Sequence, residues 1–397
     1  MGLAQINDDL MHLAGRLSHR SAQSEQERKA GLYIEARLGQ YTPNVSVETF
    51  HAPENYYLLF ASYLAEFLFV GVIALGWPPA AFGYGLGVFL LYLFEFCGYR
   101  GLSRFLPQYP SQNIVGRFLG TRPRGLVIVA AYYDSGSATP LSAPGMVPWL
   151  RPLHLVLMAA MAIVIATCAA DSFSAHEASG LSAASIIRWF AILLLLCGAL
   201  GLYWSASRGE DIRGANHNAS GVAALLGLAE KLHAQPIEEV DVWIVATGSH
   251  ESWMAGMRHL LADPGINRAQ TWILNLEGVG AGGLHYLEEE GFMHALRPDQ
   301  DLLKIAGELR VGRPVRAGKL RAIPTAAHVP LMRGMKAITL MGLDRDGFPP
   351  CWNQITDRIG DVDETGVAET IEFTELLLRR LASTQAAPDR NSNKTQV

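Results

Sequence analysis

The chain has 397 residues, a formal charge of −5, and 17% charged against 50% hydrophobic residues; a typical soluble domain carries about 25% charge. No long basic run occurs, which argues against nucleic acid as a partner, and the positive mean hydropathy points to a protein partly dissolved in lipid. The spacing of Cys97, Cys168, Cys197 and Cys351 fits neither a disulfide framework nor a zinc knuckle, so they read as packing residues of a reducing compartment.

In chain order, residues 1–16 carry Asp8 and Asp9 and lack the apolar core of a signal peptide. Residues 26–40 read as an amphipathic helix and 45–50 alternate like a strand. Residues 56–76 and 80–99 are each apolar over the roughly 20 residues a bilayer crossing needs, and the turn at Trp77, Pro78 and Pro79 makes them a hairpin. Residues 126–131 form a short β-rich run. Residues 153–170 and 189–206 give a second apolar hairpin, joined by a polar loop holding Asp171, His176 and Glu177. Residues 220–233 read as a helix, 240–246 and 272–276 as buried strands, and 365–381 as a closing helix. Residues 383–397 are polar and aperiodic and read as a disordered tail.

Removing the hairpins at 56–99 and 153–206 leaves 1–55, 100–152 and 207–382, together the size of one α/β domain. Strands alternating with helices predict a mixed, mostly parallel sheet covered by helices on both faces. Arg100, Arg104, Arg151, Arg208 and Arg213 flank the hairpins on the domain side and only Arg188 lies on the other, so the domain and both termini are expected in the cytoplasm. Glu66 is an intramembrane carboxylate, with a bond inside a four-helix bundle as its simplest account, and Glu95 lies at the cytoplasmic end of the second span. His51, His154 and His259 read as packing or interface residues.

Functional groups in such sheets gather at the carboxyl ends of strands. Five segments fit that description: 131–135 with Tyr132 and Asp134; 214–221 with Asn216, His217, Asn218 and Ser220; 248–251 with His250 and Glu251; 276–278 with Glu277; and 352–357 with Asn353 and Asp357. In this order they resemble the zinc exopeptidases that include bacterial leucyl aminopeptidases, plasma glutamate carboxypeptidase and, more distantly, glutaminyl cyclases. Residues 18–38 are similar to that family's first helix, 112–116 to the strand before its first ligand, 214–226 to its most specific motif, and 333–340 to its late strand. The hairpins are insertions relative to that pattern.

The resemblance implies a zinc-binding site, and its positions are rewritten. The family's first metal-binding His falls on Tyr132, its bridging Asp on His217, its general-base Glu on His250 and its last ligand His on Asn353. Glu251 is kept, and Glu277 replaces an Asp. Asp134, Asn216, Asn218, Ser220, Gly221 and Asp357 still follow the family, and His328 matches a position near its pocket. Two zinc ions need a bridging anion, which neutral His217 does not supply, and Tyr132 and Asn353 are poor ligands at neutral pH. Two readings stay open. In the favoured one the pocket is metal-free, its histidines and carboxylates bond one another, and the protein is a non-catalytic, membrane-anchored binder of a peptide-like, amphipathic or lipid-linked ligand. In the other, one zinc sits on His217, Glu251 and Glu277, with His250 as the base of a hydrolase. The return from 207 to 214 is short, about 3.5 Å per residue at most, so the pocket is expected near the bilayer surface.

Overall fold

The computed structural model describes residues 2–173 and 182–386. The chain opens with α1 (Leu3–Leu10) and α2 (Glu25–Leu38), the latter begun by Ser24, whose hydroxyl accepts from the Glu27 N–H; such a cap satisfies one of the free donors of a helix start. Strand β1 (Val45–Pro53) leads into α3 (Tyr56–Ala74) and α4 (Pro78–Phe96). Then come β2 (Gln108–Phe118), β3 (Leu126–Tyr132), the short β4 (Ser137–Ala138), α5 (Val147–Phe173), α6 (Ala183–Ser207) and the short β5 (Glu210–Asp211). The chain continues through α7 (Ser220–Ala234), β6 (Asp241–Thr247), α8 (Ala255–Leu260), β7 (Thr271–Glu277), β8 (Gly283–Glu290), α9 (Gln300–Leu309), β9 (Val315–Leu320), α10 (His328–Met332), β10 (Lys336–Leu343) and α11 (Glu364–Ala386).

Eight strands form one sheet in the order β1-β2-β6-β3-β7-β10-β8-β9. The pairs β6–β3, β3–β7, β7–β10 and β8–β9 are parallel and the other three antiparallel. The expected mixed sheet is therefore present, with β8 and β9 added beyond the strands legible in the sequence. Successive side chains on a strand point to opposite faces, and β3 divides accordingly. Val127, Val129 and Ala131 join a core under α1, α2, α7, α9 and α11. Ile128 and Ala130 join a second core with α8, α10 and the four long helices.

Those four helices are long and apolar enough to cross a membrane. At 1.5 Å per residue, the 19 residues of α3 and of α4 span about 28 Å, close to a hydrocarbon core, and the 27 of α5 about 40 Å. The surplus of α5 lies at its start, where the helix begins at Val147 rather than at 153, and it brings Leu150 and His154 towards the domain. In the bundle α3 packs on α4 and α6, and α5 on α4 and α6, so the hairpins interlock instead of standing apart. Their outer faces leave Phe69, Leu90, Val156, Leu193 and Leu200 exposed, a pattern that suits lipid better than water. Glu66 accepts from the Tyr84 hydroxyl across the first hairpin at 2.5 Å. Glu95 accepts from Arg258 (2.5 Å) and from the Gly101 and Ser103 N–H groups (2.8 and 3.0 Å). That buried junction ties the end of α4 to α8 of the α/β domain.

One expectation needs amendment. Residues 383–386 are helical rather than part of a tail; the Ser383 and Thr384 hydroxyls fold back onto the Arg380 and Leu381 carbonyls, which lets polar residues extend α11. The rest of the expected tail, and His176 and Glu177 of the loop in the second hairpin, lie outside the described residues.

Candidate functional site

Strands β6, β3 and β7 run parallel side by side, so the loops leaving their carboxyl ends meet at one edge of the sheet. These loops carry Tyr132 and Asp134, then His250 and Glu251, then Glu277. The wide helical turn Ala215–Ala219 before α7 adds Asn216 and His217. Its start needs the left-handed backbone of Gly214 (φ 58°), since a Cβ there would meet the Asn218 amide at 2.5 Å. Among the described residues six non-glycines have positive φ, and five lie on two site loops: Ser249, Trp253, Met254, Cys351 and Asn353. Left-handed backbone costs a non-glycine residue roughly 1 kcal/mol or more, and such strain collects at functional loops.

The rear of the site is a bonded frame. Asp134 accepts the N–H groups of His250 and Glu251 at 2.8 and 3.0 Å. Asp357 does the same for Asn216 and His217 at 2.6 and 3.0 Å. The Asn216 side chain accepts from the Gly280 N–H and donates to the Pro350 carbonyl, and the Asn218 amide donates to the Asp134 carbonyl. Between the two aspartates lies Arg20, fully buried, donating to the carbonyls of Leu13, Tyr133 and Gly214 and to the Asn218 side chain. Burial pushes both aspartates up to about 6 against these backbone donors and Arg20. Burial pulls Arg20 down to about 10, opposed by Asp357 and Asp134.

The front carries Tyr132, His217, His250, Glu251, Glu277 and Asn353. The Tyr132 hydroxyl lies 2.7 Å from His217 Nε2, which leaves His217 Nδ1 buried without a partner. The His250 ring stacks on Tyr132 at 3.9 Å. Burial drives both histidines down to about 3, for His217 with added repulsion from His250, so both are neutral near pH 7. Burial and the nearby Asp134 charge raise Glu251 to about 8, with Asn353 bonding partly in opposition. Burial likewise raises Glu277 to about 8, opposed by donors from Ala326 and Asn275. Asn353 is buried against Gly136, where any Cβ would meet its Oδ1 at 2.1 Å. His328 stands apart: its Nε2 lies 2.9 Å from the Phe96 carbonyl, and its ring packs edge-on against Phe96 and Trp253. The structure thus gathers Tyr132, His217, His250, Glu251 and Asn353, with Glu277 in electrostatic reach of Tyr132 and Glu251 while one of its oxygens accepts from Asn275 and Ala326; it sets Asp134 and Asn216 behind them as frame and gives His328 to other partners. Among the described residues no group of three His, Cys, Asp or Glu side chains is placed to hold a metal ion.

His250, Glu251 and Asn353 open onto a cavity of about 160 Å³, whose wall continues into the long helices. Tyr56, Phe60, Tyr92, Phe96, Leu153 and His154 line it from α3, α4 and α5. Sequence reasoning missed this wall, because no motif marks a helix face that docks on distant loops. It also passed over Arg20, whose only signal is a cation just before a helix similar to the family's first.

Residues 202–376 match the model of peptidase family M28. No curated protein matches the sequence. Among solved structures, LapB from Legionella pneumophila superposes with a TM-score of 0.54 at 12% identity, over 96% of this chain and 72% of that one. BSAP, a zinc aminopeptidase from Bacillus subtilis, gives 0.54 at 12%, over 96% and 95%. The glutaminyl cyclase of Porphyromonas gingivalis gives 0.53 at 14%, over 96% and 98%. Identities this low speak to the fold alone. Residues 202–376 therefore resemble peptidase family M28, and the chain as a whole has the fold of the zinc aminopeptidases.

Proposed function

We propose that this chain is a membrane-embedded member of its family whose pocket binds an amphipathic or peptide-like ligand without a zinc pair, the domain facing the cytoplasm. One observation carries the reading: the cavity joins a polar floor of His250, Glu251 and Asn353 to an aromatic and aliphatic wall from all four long helices. Pockets of mixed character orient a ligand by a few polar groups and hold it by apolar area. A polar head on the loops and an apolar body among the helices is the arrangement these residues accommodate.

The donor set supports the metal-free form. A zinc pair needs a bridging carboxylate; His217 stands at that position and its Nε2 is engaged by Tyr132. Glu277 is held by Asn275 and Ala326, and Tyr132, pushed by burial well above its usual value, stays a neutral phenol. His250 at about 3 is a weak base, which favours binding over hydrolysis. The exposed apolar faces of α3 to α6 and the arginines at their domain-side ends support the bilayer placement and its sidedness.

The test is made on full-length protein purified in detergent. Elemental analysis without added metal should find less than one zinc per chain, and native mass spectrometry should find a co-purifying amphiphile. Leu153→Trp, which fills the cavity, should cut amphiphile retention by about tenfold. Two tightly bound zinc ions, or retention unchanged in Leu153→Trp, would overturn the proposal.

A further inference from the structure

A second concavity lies away from the site, where the first hairpin meets the α/β domain. It is a groove of about 490 Å³ lined by Arg100, Arg258, Arg333, His51, His259 and Tyr99 among others, and by no carboxylate among the described residues. Its place is fixed by chain connectivity. Gly98, Tyr99 and Arg100 directly follow α4, and Pro53 comes just before α3, so the groove sits within a few residues of both domain-side ends of hairpin 1.

The three guanidinium groups differ in what already neutralises them. Arg258, 6% exposed, pairs with Glu95 and donates to the Ser252 and Tyr99 carbonyls. Its Nε has no acceptor. Arg333 donates to the Leu261 and Gly98 carbonyls and lies over the Tyr99 ring at 4.8 Å; its Nε is also without an acceptor. Arg100 reaches only the neutral Gln108. Glu95 is thus one negative charge against three positive ones. Burial and the neighbouring charges of Arg268 and Arg258 hold Arg333 below its usual value, against help from Tyr99. Arg258, the buried one, already has its counter-charge in Glu95, whereas half-buried Arg333 and exposed Arg100 bond only neutral groups and are open to an anion; planar guanidinium groups fit phosphate oxygens in pairs.

We propose that this groove binds the phosphate of an anionic phospholipid headgroup at the domain-side surface of the bilayer, with Arg100 and Arg333 as its principal ligands. Arg258 positions the groove through Glu95 and adds charge. Such a lipid would fasten the domain to the membrane beside the first hairpin and fix how the cavity mouth is presented. The inference rests on the bilayer placement of the four helices but not on the ligand of the main cavity.

The test uses full-length protein in detergent, with native mass spectrometry of added dioleoylphosphatidylglycerol or dioleoylphosphatidylcholine. The anionic lipid should be retained about tenfold better, and Arg100→Gln with Arg333→Gln should bring the two near parity. Arg333→Lys should lose part of the preference, because the charge remains but the planar fork does not, and Leu153→Trp should leave it unchanged, because it touches only the other cavity. Inorganic phosphate that displaces the anionic lipid would support the anion site with free phosphate as an alternative source; failure to displace it would assign the lipid. Equal retention of both lipids, or a preference untouched in a folded double variant, would overturn the proposal. Resistance of the protein to alkaline extraction from membranes checks the bilayer placement separately.

Discussion

Behind the pocket, Asp134 and Asp357 each accept two backbone N–H groups while Arg20 makes five hydrogen bonds that tie its own segment to Leu13, to the Tyr133–Ser135 loop and to the Gly214–Asn218 turn. At its mouth, His217 keeps a nitrogen without a partner, and His250 offers its ring to the cavity and to Tyr132. The two layers share the same loops and obey different demands. The frame holds the backbone of the site loops in place. The mouth meets the ligand and is free to change with it. Retention of frame residues in a sequence is therefore evidence for the fold and says little about zinc.

Substitutions can break that division. The largest effect is expected at the frame. Asp357→Ala strands two buried N–H groups and removes one of Arg20's counter-charges, and should cost about 3 kcal/mol or more of stability, read as a sharp drop in melting temperature or folded yield. Tyr132→Phe lies between the layers: it leaves His217 with no side-chain partner on either nitrogen and should cost about 1–2 kcal/mol, measurable by chemical unfolding.

A third effect appears as a slope against pH. Glu251 titrates near 8 in the folded chain and in the ordinary carboxylate range when unfolded. The folded state therefore holds a proton that the unfolded state releases, and the contribution to stability falls as pH rises from about 4.5 to 8. The neutral histidines act oppositely below about pH 6.5. Melting temperatures of Glu251→Gln should decline less between pH 5 and pH 8 than those of the native chain; parallel profiles would place the carboxyl in a wetter setting. The smallest stability effect belongs to the mouth. His250→Ala should shift stability by less than about 1 kcal/mol while weakening retention of the co-purifying amphiphile, and a loss as large as that of Asp357→Ala would erase the distinction between the layers.

Most of the architecture was legible from local pattern. Unbroken apolar runs announced α3 to α6, and β-rich runs announced β3, β6 and β7, because burial on both faces leaves no alternation to obscure them. The site motifs lay at strand ends, as chain order alone suggests for parallel strands. Strands β8 and β9 were not legible: Glu288 and Glu289 on β8 and Arg316 and Lys319 on β9 dilute the apolar signal on strands at the edge region of the sheet. His154 read as an ordinary packing residue, yet it lines the cavity, because α5 begins earlier than its apolar run and reaches the loops.

The sequence by itself determined the apolar composition of the long helices and the identity of the groups at each strand end, with Tyr132, His217, His250 and Asn353 among them. Those are properties of residue type and spacing, and they survive any packing. Tertiary structure alone decided which groups meet. It joined His250, Glu251 and Asn353 to the faces of α3, α4, α5 and α6 in one cavity, sent Glu277 to the Ala326 N–H and His328 to the Phe96 carbonyl, and brought Arg100, Arg258 and Arg333 to one groove. Contacts between segments distant in the chain depend on how the bundle and the loops dock on the sheet, and the local periodicity of neither element encodes that docking.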